Sequence, residues 1–589
     1  MMGGVLKRIL IWRIRHVEHQ HLVLFLSVII GILAGLATFV IKTSAHKIQG
    51  LVALLEGAFH YLHFVFPLIG LLLTVTVIKY LIRRPVDHGI PATLQAISKR
   101  NSELESHNMF SSIVTSAITV GFGGSVGLEG PTVATGSAYG SNIGKLFHLD
   151  YKTKTLLVGC AAAGALSAIF KAPIAAIVFA IEVIMLDLTT ASLIPLLLAS
   201  VSAFITSWLL LGEGVLLPFP FNDPFQPENV PYYILLGAVT GLGSLYFSKL
   251  FFGVERLFEK IGPLYLKALI GGSLLGILFL VFPDLYGEGY ELINSLIQGQ
   301  YSQELSIKES LLPLQPTLGW AIGFVFAMVL FKVIATSVTF GSGGIGGIFA
   351  PTLFSGSSLG FAFAKSLDYF GLVQLPVSSF TLVGMAGMMA GVLHAPLTAI
   401  FLIAEITGGY QLFVPLMITA AISYLTVRAF LEHSVYTQQL ADKGELITHH
   451  KDRTVLYLMD LKKEVENDFE KVRQEDTLGD LTNAIARSKR DLFPVVNEKD
   501  ELLGVVFLHQ IRNLIFDRDR YDELTVSDLM TTPPAFIQED EDMNQVMEKF
   551  ESTGAWNLPV VDGNKYVGFV SKSKIFSAYR HLLVKFSEE

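Results

Sequence analysis

Two short passages constrain this chain more than any other part of it. Gly123-Gly124-Ser125-Val126-Gly127-Leu128-Glu129-Gly130-Pro131-Thr132 is echoed by Gly343-Gly344-Ile345-Gly346-Gly347-Ile348-Phe349-Ala350-Pro351-Thr352, with glycines, proline and threonine in register. A second pair follows in the same order. Ala172-Pro173 leads to Glu182 nine residues after its proline, and Ala395-Pro396 leads to Glu405 nine residues after its own. Four matched landmarks point to two structurally related halves, a plan common in transporters. The residues leave open whether the halves run parallel or inverted.

These passages lie in an apolar setting. The first 450 of the 589 residues hold 24 basic and 24 acidic side chains, whereas the last 139 hold 19 and 27, so the net charge of -8 belongs to the C-terminal part. Apolar stretches recur at Leu22–Ile41, Tyr61–Ile78, Leu188–Gly212, Val230–Ser248, Ala268–Phe282, Leu318–Leu330 and Leu412–Val427. Spanning a bilayer takes about 20 apolar residues. The glycine- and proline-broken segments are shorter, so their loose backbone groups must be buried in protein or line a polar cavity. This composition predicts a membrane body with a soluble acidic tail and excludes a disordered chain. Lys7, Arg8, Arg13 and Arg15 before the first span place the N-terminus in the cytoplasm. One cysteine, Cys160, allows no internal disulfide and no cysteine metal cluster. Without a basic run, nucleic acid is not an expected partner.

The chemistry of the turns follows from the residue types. Glycine permits close backbone approach, and proline suits the first turn of a helix, where its missing N–H costs nothing. Each turn therefore delivers a helix N-terminus, which carries roughly half a positive charge and several unpaired N–H donors. Such an end binds an anion without lysine or arginine. Two of them would hold an anion loosely enough for it to leave again.

At this point the chain resembles the CLC chloride channels and anion/proton exchangers. The family's glycine-serine-glycine-isoleucine-proline motif stands here as Asp87-His88-Gly89-Ile90-Pro91. Its glycine-x-glutamate-glycine-proline motif is Gly127-Leu128-Glu129-Gly130-Pro131, its glycine-x-phenylalanine-x-proline motif is Gly347-Ile348-Phe349-Ala350-Pro351, and its pore tyrosine matches Tyr436. The resemblance implies an all-α polytopic membrane protein with an inverted repeat of broken helices. It also implies a homodimer with one ion pathway in each subunit. Glu129 becomes the gating glutamate, and the anion-binding residues become His88, Gly89, Ile90, Gly127, Leu128, Gly130, Gly347, Ile348, Phe349, Ala350 and Tyr436.

Two departures matter. His88 replaces the family's central serine with a larger group that titrates near pH 6.5, so the ion is a monovalent anion, chloride first, with fluoride open. The exchangers' internal proton-transfer glutamate aligns with Val183, which cannot carry a proton. On that residue the expected function is an anion channel gated by Glu129; the alternative is an anion/proton antiporter for chloride or fluoride. Glu182 and Glu405 are expected to tie helices together. A membrane-embedded enzyme would need a nucleophile or metal cluster on one face, and none is evident, so no enzyme activity is expected.

The tail carries its own repeat. Phe493-Pro494-Val495-Val496 precedes Gly504-Val505-Val506, and Leu558-Pro559-Val560-Val561 precedes Gly568-Phe569-Val570. Each reads as strand, turn, strand and helix, with preceding helices over Leu478–Ser488 and Asn544–Thr553. This α/β pattern resembles a pair of cytosolic CBS domains, which bind adenine nucleotides in some proteins. The family's ribose-binding aspartate is replaced by Gln510 and Lys574, leaving Ser571 as the remaining nucleotide contact. The expectation is a structural or dimer-regulating module that requires no cofactor. The resulting division is a cytosolic segment at 1–20, the transport domain at 21–445 with halves at 21–212 and 228–445, a linker at 446–465, and CBS domains at 466–525 and 526–589. The expected location is the cell membrane, multi-pass, with both termini cytoplasmic.

Overall fold

In hydrocarbon a backbone amide has no water to bond, so an apolar chain satisfies its own N–H and C=O groups by forming helices. The computed structural model describes residues 16–58, 64–86, 89–184, 190–212, 217, 225–298, 318–442, 456 and 459–587. It divides into two units, Met1–Leu446 and Ile447–Glu589.

In the first unit, α1 (His19–Ala58), α2 (Phe66–Thr76), α3 (Ile90–Lys99), α4 (Asn108–Gly121), α5 (Glu129–Leu146), α6 (Tyr151–Phe170), α7 (Pro173–Glu182) and α8 (Thr190–Leu211) build the first half. The second half comprises α9 (Val230–Glu259), α10 (Leu264–Val281), α11 (Tyr290–Gln298), α12 (Leu318–Gly341), α13 (Phe349–Tyr369), α14 (Val377–Leu393), α15 (Pro396–Ile406), α16 (Phe413–Arg428) and α17 (Val435–Asp442). Among the described residues, six helical stretches are long and apolar enough to cross a membrane, the longest being His19–Leu55 and Pro227–Glu259. Both overrun the apolar stretches expected at Leu22–Ile41 and Val230–Ser248. An amphipathic continuation keeps a helix going after the uncharged run ends.

The halves pack alike. α1 lies on α8 as α9 lies on α16, α5 on α6 as α13 on α14, and the short helices α7 and α15 lie on each other. Several bonds between the copies are reciprocal. The Ser125 N–H donates to the Thr339 hydroxyl at 3.2 Å, and the Ile345 N–H donates to the Thr119 hydroxyl at 3.1 Å. Glu182, closing α7, accepts from the Leu397 and Thr398 amides at the start of α15. Glu405 on α15 accepts from Ile174 and Ala175 at the start of α7. A carboxylate at a helix N-terminus satisfies donors that the helix cannot pair itself. The expected structural role of both glutamates is thus given a geometry. Gly127 and Gly347 form an antiparallel bridge where the two copies meet.

The second unit holds two three-stranded sheets of the same order, β1-β2-β3 (Val472–Arg473, Leu492–Val496, Leu502–Phe507) and β4-β5-β6 (Ile537–Gln538, Asn557–Asp562, Lys565–Ser571). In each, a two-residue strand pairs parallel and the hairpin pairs antiparallel. The sequence pattern anticipates the hairpins and helices α18 (Leu478–Arg487) and α19 (Met543–Thr553). It does not reveal β1 or β4, which are too short to show periodicity. The copies exchange edges. Glu466 pairs with Phe569 of the second sheet, and Thr531 pairs with Val505 of the first. α20 (Lys572–Ser587) closes the second copy.

Electrostatics in this unit are local. The Arg490 guanidinium grips Asp468 through both carboxylate oxygens and holds that carboxyl below its usual range. The Thr477 amide and hydroxyl do the same for Asp480 in the capping box of α18.

Candidate functional site

The two glycine turns touch. The Gly127 N–H donates to the Gly347 carbonyl at 2.8 Å, and the Gly347 N–H returns the bond at 2.7 Å. Only glycine fits here. A Cβ on Gly347 would lie 2.7 Å from the Gly130 nitrogen, and one on Gly127 would lie 1.8 Å from Glu129 Oε2. The turns begin alike as well: Gly123 and Gly343 leave α4 and α12 with φ of +92° and +87°, a region closed to most side chains.

Glu129 is the first residue of α5 and is 1% exposed. Its carboxylate rests against the bridge. Oε1 accepts the Tyr290 hydroxyl at 2.9 Å, and Oε2 has no hydrogen-bond partner among the described residues. A buried carboxylate oxygen without a partner is costly, and its position beside two helix N-termini offsets part of that cost.

A cavity of about 30 Å³ adjoins the bridge, lined by Ile90, Gly130, Gly347, Ile348 and Tyr436 among others. That is room for one water-sized species. α3 begins at Ile90, α5 at Glu129 and α13 at Phe349, so three helix starts gather around it. Tyr436 is buried, with its hydroxyl unpartnered among the described residues, and its ring lies 6.4 Å from that of Phe349.

Most of the residues singled out from the sequence therefore fall in one place. Gly89 (φ +62°) packs against Gly130 so closely that a Cβ would lie 2.7 Å from its carbonyl, which docks the first motif onto the second. Phe349 is enclosed by Phe170, Phe179 and Tyr436. Ala350 is buried behind Gly127. Gly127, Gly347 and Leu128 depart from the expectation in one respect. The two glycine N–H groups are spent on each other's carbonyls, and the Leu128 N–H donates to Glu288 Oε1 at 3.2 Å, so these three donors are committed within the protein and not to the cavity. Val183 is buried at the end of α7. His88 lies outside the described residues. In the tail, Ser571 Oγ accepts the Lys574 N–H at 3.2 Å and so caps α20. Among the described residues, no group of three or more metal-ligating side chains occurs.

Sequence reading missed Glu288, Tyr290 and Lys332. Lys332 is fully buried, and its Nζ donates to the Gly287 carbonyl at 2.9 Å and the Leu285 carbonyl at 3.3 Å. The ammonium also lies 4.8 Å from the centre of the Phe354 ring. A signal was available: Lys332 is the one charge in the 24-residue helix α12, and intramembrane charges are usually functional.

Known proteins share this fold. The family model described as voltage gated chloride channel matches residues 69–428, and a CBS domain model matches residues 526–581. A ClcB-like protein of Ralstonia nicotianae is 29% identical over 428 residues, 70% of this chain and 95% of that protein. The H(+)/Cl(-) exchange transporter ClcA of Vibrio cholerae is 30% identical over 331 residues, 54% of this chain and 66% of that one. Among solved structures, a slow cyanobacterial Cl-/H+ antiporter superposes with a TM-score of 0.62 at 22% identity, covering 72% of this chain and 98% of the other. A eukaryotic CLC transporter superposes with a TM-score of 0.60 at 19% identity, covering 95% of this chain and 99% of its own.

Proposed function

This chain belongs to the voltage gated chloride channel family, and on that premise we propose that it exchanges chloride for protons across a membrane, with Glu129 as the group that alternates between proton and anion site. The observation that carries the reading is the seat of Glu129. Its carboxylate is buried against the Gly127–Gly347 bridge with one oxygen unpartnered among the described residues, where the helix starts would otherwise face an anion. A negative group in that seat excludes chloride. Protonation removes the attraction to the helix ends and frees the seat. Proton and anion occupancy are then linked at one carboxyl. The named exchange function of the Vibrio relative and of the cyanobacterial neighbour supports coupling over passive flow.

In this reading the Ile348 and Phe349 amides and the Tyr436 hydroxyl hold the anion at the inner position, and Ile90 completes the wall. His88 in place of the family's serine tunes which anion fits. The protein works as a homodimer in a cell membrane, each subunit with its own pathway and both termini in the cytoplasm. The tail pair is a structural or dimer-regulating module, in which Ser571 Oγ accepts the Lys574 N–H and caps its own helix.

Passive conduction is the second reading, and Val183 favours it: the position after Glu182 holds no protonatable group, and Glu182 is committed to α15. Proteoliposomes carrying a chloride gradient decide between the two. Exchange predicts that chloride leaving the vesicles drives protons inward against their own gradient, and that Glu129→Gln abolishes this. Chloride efflux without proton movement in the unsubstituted protein would establish the channel.

A further inference from the structure

The loop Gly287-Glu288-Gly289-Tyr290 joins the end of α10 to α11 and was not singled out in the sequence. It touches the Glu129 turn at two points. The Tyr290 hydroxyl donates to Glu129 Oε1 at 2.9 Å, and Glu288 Oε1 accepts the N–H of Leu128, the residue before Glu129, at 3.2 Å. The glycines give the loop its shape, with φ of +61° at Gly287 and +85° at Gly289. Gly289 also admits the Phe354 ring, which would stand 2.5 Å from a Cβ there. From the other side, Lys332 holds the loop by its Leu285 and Gly287 carbonyls. The loop is therefore anchored by a fully buried lysine and aimed at the Glu129 carboxyl group.

We propose that this loop is the latch of the gate: Tyr290 holds the Glu129 carboxylate in the anion's place, and Glu288 fixes the turn that carries it. Both are positioning residues, since they touch Glu129 and its turn and do not line the cavity. The inference rests on the reading of Glu129 as the gate. A hydroxyl donating to a carboxylate forms a charge-assisted bond, stronger than a neutral one. While Glu129 sits bonded to Tyr290, an incoming anion must displace it. Without that bond the carboxylate competes less well. The charged and titratable groups around Glu129 are Lys42 on α1, Glu288 and Tyr290 in the loop, and Tyr436. Lys332 and His46 face Glu288.

The test uses the full-length protein in detergent for chloride titration calorimetry and in vesicles for flux against pH. Tyr290→Phe keeps the ring and removes the donor. It should tighten apparent chloride binding at neutral pH by about tenfold and move the midpoint of the flux–pH curve to higher pH. Glu288→Gln keeps an acceptor for the Leu128 N–H and removes a negative charge beside Glu129. It should move the midpoint the opposite way. In a Glu129→Gln background, Tyr290→Phe should change nothing further. An unchanged affinity and midpoint in Tyr290→Phe alone would overturn the latch. So would an effect that persists when Glu129 is already Gln. If Glu129→Gln itself leaves binding and pH dependence untouched, the gate reading fails first, and the two failures are told apart.

Discussion

Replacing Gly347 by alanine perturbs the bridge with the smallest side chain available. The added Cβ would stand 2.7 Å from the Gly130 nitrogen, 3.3 Å from Gly130 Cα and 3.3 Å from Glu129 Oε2. Ordinary contact begins near 3.4 Å, so the closest pair overlaps by about 0.7 Å. The neighbour is backbone at the first turn of α5 and cannot rotate aside as a flexible side chain would. Relief must come from spreading the turns, which lengthens the 2.7 and 2.8 Å bonds between Gly127 and Gly347. Overpacking of this kind costs about 1–3 kcal/mol. Shifts approaching 1 Å in a positioned site cost about 100-fold in rate. We therefore expect Gly347→Ala to fold, with a midpoint of thermal unfolding lowered by a few degrees, and to lose at least tenfold in chloride flux per folded molecule. Gly253→Ala is the control. Gly253 lies in α9 with nothing within 4 Å of a Cβ, so flux should be unchanged and the helix slightly favoured. Flux in Gly347→Ala equal to that of the control would refute the claim that the contact between the turns sets the site.

Three further outcomes follow. Glu182→Ala strips the acceptor from two amides and the Thr398 hydroxyl, and should lower the protein's stability by about 1–3 kcal/mol while flux per folded molecule changes far less. Thr477→Ala removes the capping box of α18 and should destabilise the tail by about 1 kcal/mol, read by chemical denaturation of the full chain. Asp480 is held below its ordinary carboxylate range by the same box. Its contribution is present above the unfolded value near 4 and is lost as pH falls through the folded one, so tail stability should fall in acid, and less steeply in Thr477→Ala.

How far the molecule was legible depended on what each feature needs. The helix-start sites were readable because glycine and proline are required there by backbone sterics, and the requirement appears twice. Gly127, Glu129, Gly347 and Phe349 could all be found in that way. The crossing bonds of Thr119 and Thr339 were hidden, since a threonine in an apolar helix ordinarily bonds to the preceding turn, and both of these do that as well. The bridge between Gly127 and Gly347 was hidden too, because sequence carries order but not the contact of one half with the other. Leu128 shows the limit of motif reasoning. It occupies a motif position, yet its amide is taken by Glu288 across 160 residues of chain, and no local pattern announces such a partner. Lys332 is the opposite case, a lone charge that could have been flagged from α12 alone. In the tail, alternating strands and turn residues revealed the hairpins, whereas β1 and β4 are two residues each and exist through pairing alone.

In the proposed reading, the Glu129 carboxylate occupies an anion's seat at the joined turns. Crystals soaked in bromide and measured at its absorption edge count bound anions directly. One more bromide per subunit is expected in Glu129→Gln than in the unsubstituted protein at neutral pH, lying against Gly127 and Gly347. The same number and positions of bromide in both proteins would contradict it.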